Sequence, residues 1–463
     1  VIEKSGGAKD AILLSRWWLW PETIGPLPPR VQKPRGTGGA RTGIIASTSI
    51  LQPGKRVCVK DILLINVFGD DKPGLTSALT AELARHNASV LDIGQAVIHD
   101  DLALGLLVAM APGTLTDTRE AIRHCAQSLG VSVRFEAIAP ERYQHWVAQQ
   151  GKPRHIVTLL SRRVTAEQIA ELTAITVKHG LNIDHINRLS GRVPLESLDS
   201  HSSACVEFSV RGAPADSQAL RADFMELSTR LEVDIAFQRD TPYRRNRRLV
   251  CFDMDSTLIE AEVIDELAKA AGVGDQVVAI TEAAMRGELD FQESFAQRLA
   301  LLEGLDESVL AGIARDLRLT EGAEKLIATL KKLGYKTAIL SGGFQYFGQF
   351  LQQRLGIDYV YANRLEIVDG KVTGRVTGTV VDGARKAQLL RQLAEQEGIA
   401  PEQVIAVGDG ANDLPMLNAA GLGIAFRAKP LVKASAEHAI STLGLDAILY
   451  LLGFRDREHG DLS

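Results

Sequence analysis

The feature that most constrains this chain is an order of segments that occurs twice between residues 61 and 240. Alternating apolar residues in "DILLINVFG" read as a strand, and "GLTSALTAELARHN" reads as a helix with Leu75, Leu79 and Leu83 on one face. Two strands, "SVLDIGQAVIH" and "LALGLLVAM", a helix, "LTDTREAIRHCAQSLG", and a last strand, "VSVRFEAI", complete the first copy. From residue 154 the order returns in "RHIVTLLS", "TAEQIAELTAITVKHG", "LNIDHINRLS", "SACVEFSVRG", "DSQALRADFMELSTRL" and "EVDIAFQ". Strand, helix, strand, strand, helix, strand, repeated after about 90 residues, predicts two ferredoxin-like α+β modules.

A different pattern follows. In "LVCFDMDSTLIE" an apolar run ends in Asp253 and Asp255, and in "YKTAILSGGF" another ends in Ser341, Gly342 and Gly343. A third, in "QVIAVGDGANDLPML", ends in Asp409, Asn412 and Asp413. The helix "DGARKAQLLRQLAEQEG" carries Lys386, and "VDGK" marks a hairpin turn. Strands that are apolar throughout and alternate with helices predict an α/β domain built on a doubly wound parallel sheet. Such sheets bind ligands beyond the carboxyl ends of their strands, where all three polar clusters fall.

On an extended chain Asp253 and Asp255 would share one side, and two like charges there need compensation. Taken alone, these residues suit either a divalent cation or a solvated turn that uses Asp and Ser for local hydrogen bonds. The four elements together have one explanation in phosphate-monoester hydrolysis, where fixed positive charge must offset the approach of an anionic nucleophile to an anionic phosphoryl group. In this reading Asp253 attacks and becomes an aspartyl-phosphate, while Asp255 protonates the leaving oxygen and then serves as base for water. Mg²⁺ is expected among Asp253, Asp255 and Asp409, with the main-chain carbonyl of Asp255 or Met254 as a further donor and Asp413 ordering the ion's surroundings. Ser341, the Gly342 N–H, Lys386 and Asn412 are expected around the phosphoryl oxygens.

"DMDST", "SGG", Lys386 and "GDGAND", in this order, resemble the haloacid dehalogenase-like phosphatases, and over about 245 to 452 the resemblance is to the phosphoserine phosphatase family. That resemblance implies a helical cap at 261–333. It also implies that Glu262 meets the substrate ammonium and Arg298 its carboxylate, with Met285 and Phe291 as an apolar closure. A guanidinium suits that role because it can hold a carboxylate by two hydrogen bonds. The repeated modules resemble a pair of ACT domains, so an amino-acid effector is expected at the first, where Gly69, Asp70, Pro73 and Gly74 open a helix. The matching turn of the second, "LLSRRVTAEQI", has neither Pro nor Gly and is expected to serve structure.

The expected organisation is thus an extension over 1–58, ACT-like modules over 59–140 and 152–240, and a phosphatase domain over 245–455. The extension is rich in Pro, Gly and Arg and carries a charge of +6, against −11 for the remainder. "RDTPYRRNRRL" reads as a solvated basic linker, and an overall charge of −5 gives no case for nucleic acid. No apolar run reaches the roughly 18 residues of a bilayer span, which excludes a membrane partner on this reading. Four cysteines without paired spacing suit a reducing cytoplasm. Exposed module edges predict a homodimer. The expected activity is Mg²⁺-dependent hydrolysis of phosphoserine to serine and phosphate, the last step of serine biosynthesis. The alternatives are a phosphatase or phosphotransferase acting on another small phosphorylated metabolite, and an amino-acid sensor with a degenerate phosphatase domain.

Overall fold

Alternation of apolar and polar residues becomes the inner and outer faces of a sheet in the first repeat. The computed structural model describes residues 60–197, 203–286 and 288–460, so the extension expected over 1–58 lies outside the described residues. The chain divides into two compact units after Pro140. In the first, β1 (Asp61–Asp70), β2 (Ser89–Ile98), β3 (Asp101–Met110) and β4 (Ser132–Ile138) form an antiparallel sheet in the order β2-β3-β1-β4. Leu63, Ile65 and Val67 of β1 face the helices Leu75–Arg85 and Leu115–Ser128 and are buried against Leu75, Leu79, Leu83 and Ile122. The other face is open, as antiparallel sheets allow. Phe68, Val90, Ile93, Val97 and Ile98 are exposed on this unit.

The second unit opens with the other module, in which β5 (Arg154–Ser161), β6 (Asn182–Arg188), β7 (Ala204–Arg211) and β8 (Asp234–Arg239) take the order β6-β7-β5-β8. Here both faces are used. Every residue of β5 after Arg154 is buried, because Val157 and Leu159 face the module's own helices while Leu160 joins a larger core. Leu160, Leu189, Cys205 and Ala236 pack in one cluster with Phe252, Leu445, Leu449 and Leu452 of the domain that follows.

That domain holds β9 (Leu249–Phe252), β10 (Lys336–Phe344), β11 (Tyr359–Val368), β12 (Lys371–Thr377), β13 (Val404–Gly408), β14 (Leu422–Phe426) and β15 (His438–Ile440). Their order is β12-β11-β10-β9-β13-β14-β15, parallel except for the β11–β12 hairpin. The order reverses around β9, which places the carboxyl ends of β9, β10 and β13 side by side.

Two expectations need correction. The cap is shorter than 261–333, since the chain leaves after Ile259 and is already back at Leu319, where the two residues form a β-bridge. The helix Ala323–Lys332 then packs beneath β10 and belongs to the sheet domain, because Ala323, Leu326, Ile327 and Leu330 lie on one buried face. The basic connector is not a solvated linker either. Arg244 is 1% exposed and paired with Glu207 of β7, and Arg247 is 5% exposed with Nη1 donating to the Glu402 carbonyl at 3.1 Å. A run of arginines shows charge but not the acceptors that the fold brings to it. No helix among the described residues is long and apolar enough to cross a membrane, and Cys125, Cys205 and Cys251 are free.

Candidate active site

β9 is short because its apolar run stops at Phe252. Asp253 still donates its N–H to the Val407 carbonyl of β13 at 2.8 Å, so its carboxylate stands where the two strands end. The chain then turns instead of continuing extended. The Met254 carbonyl accepts from the N–H groups of Thr257, Leu258 and Ile259 at 3.3, 2.9 and 3.1 Å, and Ser256 takes a φ of 53°. These bonds correct the expectation that Met254 could offer its carbonyl to an ion, for that oxygen is committed to the turn. The same turn brings Asp255 back toward Asp253, and Asp255 Oδ1 accepts the N–H of Val263 at 3.0 Å.

β10 ends at the second polar cluster. Ser341 is fully buried and its Oγ accepts the Gly343 N–H at 2.9 Å, while the Gly342 carbonyl accepts from Asn363 Nδ2 at 2.7 Å. Asn363 Oδ1 also accepts the Val381 N–H at 2.8 Å. Asn363 therefore fixes the peptide on which Gly342 and Gly343 sit, and sequence reasoning missed it. A single polar residue within "YVYANRLEIV" was the available signal. A Cβ at Gly343 would collide with Asp255 Oδ2 and lie 2.8 Å from Met254 Cε, so any larger residue there has to displace those two side-chain ends.

Lys386 comes from the helix Gly383–Gln396, whose first turn is capped by Asp382 Oδ1 accepting the Arg385 N–H at 2.8 Å. Its Nζ is fully buried, 2.8 Å from Asp253 Oδ2 and 2.7 Å from Asp413 Oδ1. Asp413 Oδ2 in turn accepts the Gly410 N–H at 2.9 Å. Carboxylate oxygens of Asp253, Asp409 and Asp413 come within 4.8 Å of one another. Asn412 is half-buried beside them, and Thr257, also overlooked in the sequence, points its Oγ1 toward Asp409 Oδ1 at 3.4 Å.

The electrostatics are those of a site short of positive charge. Burial, then the charges of Asp253 and Asp413, push the Asp409 carboxyl up to about 8. Burial and Asp253 push Asp413 up to about 7 against the opposing pull of Lys386. Asp255 is raised well above the carboxylate range by burial first, then by Glu262 and Asp253. Burial alone would lower the Lys386 ammonium, but the carboxylates of Asp253 and Asp413 reverse that and leave it raised. Hard carboxylate oxygens at this spacing fit a divalent cation.

Glu262 stands just before the first cap helix, Val263–Ala271, without a side-chain bond to its first turn, and its Oε1 accepts from Ser256 Oγ at 2.8 Å. Burial raises its carboxyl, and the Ser256 bond and Arg298 oppose the shift. Arg298, on the cap helix Phe291–Ala300, is largely withdrawn from solvent and lies in the field of Glu262, Asp265 and Asp255. It makes no ion pair among the described residues, and its recorded hydrogen bond, Nε to the Ser294 carbonyl, is long at 3.4 Å. The side chains of Met285 and Phe291 lie outside the described part of the structure. The cap meets the sheet domain through Phe295 against Phe344, with ring centroids 6.1 Å apart, and through Gln292 Nε2 donating to Asp382 Oδ2 at 3.2 Å.

Residues 247–421 match the family model of haloacid dehalogenase-like hydrolases, and 61–136 and 153–238 each match an ACT domain. A phosphoserine phosphatase of Streptomyces coelicolor is 44% identical over 398 residues, which span 86% of this chain and 93% of that relative. A phosphoserine phosphatase of Mycobacterium tuberculosis is 41% identical over 395 residues, 84% of this chain and 93% of the relative. Among solved structures, a probable phosphoserine phosphatase from Vibrio cholerae in unliganded form is similar at a TM-score of 0.51 and 35% identity, covering 66% of this chain and 89% of that one.

Proposed function

The chain belongs to the phosphoserine phosphatase family of haloacid dehalogenase-like hydrolases, and from that membership we propose that it hydrolyses O-phosphoserine to serine and phosphate through a phosphorylated Asp253, the closing step of serine biosynthesis. One observation carries the reading most directly: a buried lysine bridges Asp253 and Asp413 at the strand ends, beneath a cap that carries an uncommitted arginine and a glutamate.

Asp253 and Asp409 would hold Mg²⁺, with the Asp255 main-chain carbonyl as a further donor, since it accepts no backbone hydrogen bond among the described residues, while Asp413, whose oxygens are taken by Lys386 and the Gly410 N–H, would order the ion's surroundings. When bound, the ion supplies the positive charge that lets one anion approach another. Lys386 holds Asp253 in place and shares the phosphoryl oxygens with Ser341, the Gly342 N–H and Asn412. An Asp253 oxygen forms the new bond to phosphorus as the bond to the serine oxygen breaks, and Asp255 gives its proton to that oxygen. Water then attacks phosphorus and gives a proton to Asp255, the bond between phosphorus and the Asp253 oxygen breaks, and phosphate leaves. Burial, then the charges of Glu262 and Asp253, raise the Asp255 carboxyl well above the usual carboxylate range, a direction that suits the first of these transfers. Glu262 meets the ammonium and Arg298 the carboxylate of the substrate.

The same reading extends to the modules. Gly69 and Gly74 take φ of 148° and 93° at the turn before the helix Leu75–Arg85, a backbone suited to receive the carboxylate of an amino-acid effector. The exposed apolar residues on β2 favour a homodimer through the first module. Free cysteines fit a cytoplasmic setting.

The test is phosphate release from a panel of phosphomonoesters by the full chain, with Mg²⁺, with chelator, and with acceptor alcohols. Phosphoserine should be preferred, hydrolysis should need the ion, and Asp253→Asn should abolish turnover with its circular dichroism unchanged. Transfer to alcohols in place of hydrolysis would favour a phosphotransferase. Near-normal turnover by Asp253→Asn would remove the assignment altogether.

A further inference from the structure

We propose that Arg162, on the second ACT module, is a positioning residue for the phosphatase reaction, holding the return hinge of the cap and so the placement of Glu262 and Arg298 over Asp253. The inference rests on the phosphatase reading above.

The cap is joined to the sheet domain by two short segments that meet in an antiparallel β-bridge between Ile259 and Leu319. Glu260 N–H donates to the Arg318 carbonyl and Thr320 N–H to the Leu258 carbonyl, each at 3.0 Å. Glu262 lies only two residues beyond this pair of bonds, so a shift of the hinge moves it directly. Immediately after the return segment comes Glu321, and this residue is gripped from three directions. Its carbonyl accepts the Leu445 N–H at 2.7 Å, and its carboxylate accepts from Arg427 Nη2 at 2.7 Å. Arg162 completes the clamp with two parallel bonds, Nη1 to Oε1 and Nη2 to Oε2, both 2.8 Å, while its Nε donates to the Thr442 carbonyl at 2.9 Å. Two-pronged pairing fixes direction as well as distance.

Arg162 is itself held in place. It follows Ser161, whose buried Oγ donates to the Arg163 carbonyl at 2.8 Å, and the next helix starts at a capping box between Thr165 and Gln168. A second tie runs in parallel, as Asp234 of β8 accepts from the N–H groups of Ser441 and Thr442 at 2.8 Å each and from Thr442 Oγ1 at 2.5 Å. The second module therefore holds Glu321 directly and also fixes the loop that donates to it. The turn that bears Arg162 is the counterpart of the glycine-containing turn at 69–74 in the first module. In the second copy it has no glycine and is occupied by contacts to the catalytic domain. That use accounts for the missing Gly and Pro in "LLSRRVTAEQI" better than a general structural role does.

The experiment compares Arg162→Ala and Arg162→Lys with Gln238→Ala, which removes a bond to the Leu451 carbonyl in the same packed face but away from the hinge. kcat and KM are measured in the full chain with phosphoserine and with an aryl phosphate that has no amino-acid groups. Hydrogen exchange is followed over residues 257–262 and 316–322. Arg162→Ala should lower kcat/KM for phosphoserine by about 5-fold to 20-fold, mostly through KM, with less than about a 2-fold change for the aryl phosphate. Lysine should recover part of the loss, because it restores charge without the fork. Exchange at both hinge segments should rise in Arg162→Ala and not in Gln238→Ala. Equal losses on both substrates, equal effects of the Gln238 variant, or no change at all would overturn the proposal. If the wild-type chain fails to hydrolyse phosphoserine, the functional reading falls, and the exchange comparison still decides whether Arg162 holds the hinge.

Discussion

Arg298→Ala separates recognition of the substrate from the phosphoryl chemistry beneath it. Among the described residues Arg298 has no carboxylate partner and only a 3.4 Å bond to its own helix, although the negative groups around it offset part of the penalty of its burial. Its removal therefore breaks no ion pair and should change stability by no more than about 1 kcal/mol. On the proposed role it would remove a two-pronged contact to the substrate carboxylate, on the order of 2 to 4 kcal/mol, or roughly 30-fold to 1000-fold in kcat/KM. An aryl phosphate has no such carboxylate and should lose only a few-fold. Lysine should restore charge but not orientation and recover part of the loss. The assay is kcat/KM on both substrates together with a urea melt of each variant. Equal losses on the two substrates, or a large drop in stability, would mean that Arg298 supports the fold or the phosphoryl site instead of reading the amino-acid end.

Lys386→Met should destabilise the protein by about 3 to 5 kcal/mol in urea titration, because it leaves the buried Asp253 and Asp413 carboxylates without their shared cation; an unchanged midpoint would contradict that reading. Gly343→Ala should lower kcat by roughly tenfold or more in a folded protein, since its Cβ would displace Asp255 and Met254 from the strand end; wild-type turnover would show that the strand end yields freely. His438 is buried and pushed down to about 3 by burial and then by Arg247 and Arg221, so the unfolded chain takes up a proton below about pH 6.5 that the folded state resists. Stability should thus fall by up to about 1.4 kcal/mol per pH unit between roughly pH 6 and 3 from this group, and His438→Leu should flatten that slope in melts across the range.

What could be read from the sequence was what is local. Apolar runs gave the strands, helical spacing put Leu75, Leu79 and Leu83 on a buried face, and residues at strand ends came together because a doubly wound sheet aligns those ends. What escaped depended on partners distant in the chain. Arg244 and Arg247 looked like a linker until Glu207 and the Glu402 carbonyl were brought to them. Asn363 looked like an interruption in a strand, and its role exists only because Gly342 and Val381 lie on either side of it. The cap looked longer because the helix Ala323–Lys332 has the same periodicity whichever domain it packs against.

The sequence also could not divide the labour between Asp253 and Asp255, which are the same residue type one position apart. The fold does so by giving them different neighbours. Asp253 receives the Met254 N–H at 2.7 Å on one oxygen and Lys386 at 2.8 Å on the other, so donors and a fixed positive charge surround the group proposed to attack as an anion. Asp255 is turned by Ser256 into a buried position with one backbone donor, near Glu262 and Asp253, and those surroundings favour the protonated acid. The tight turn at Met254 is therefore part of the chemistry, because a chain that stayed extended would place both carboxyls in one environment. A carboxyl raised by its surroundings, next to one ringed by hydrogen-bond donors and a lysine, is the pairing that a proton donor and a nucleophile need.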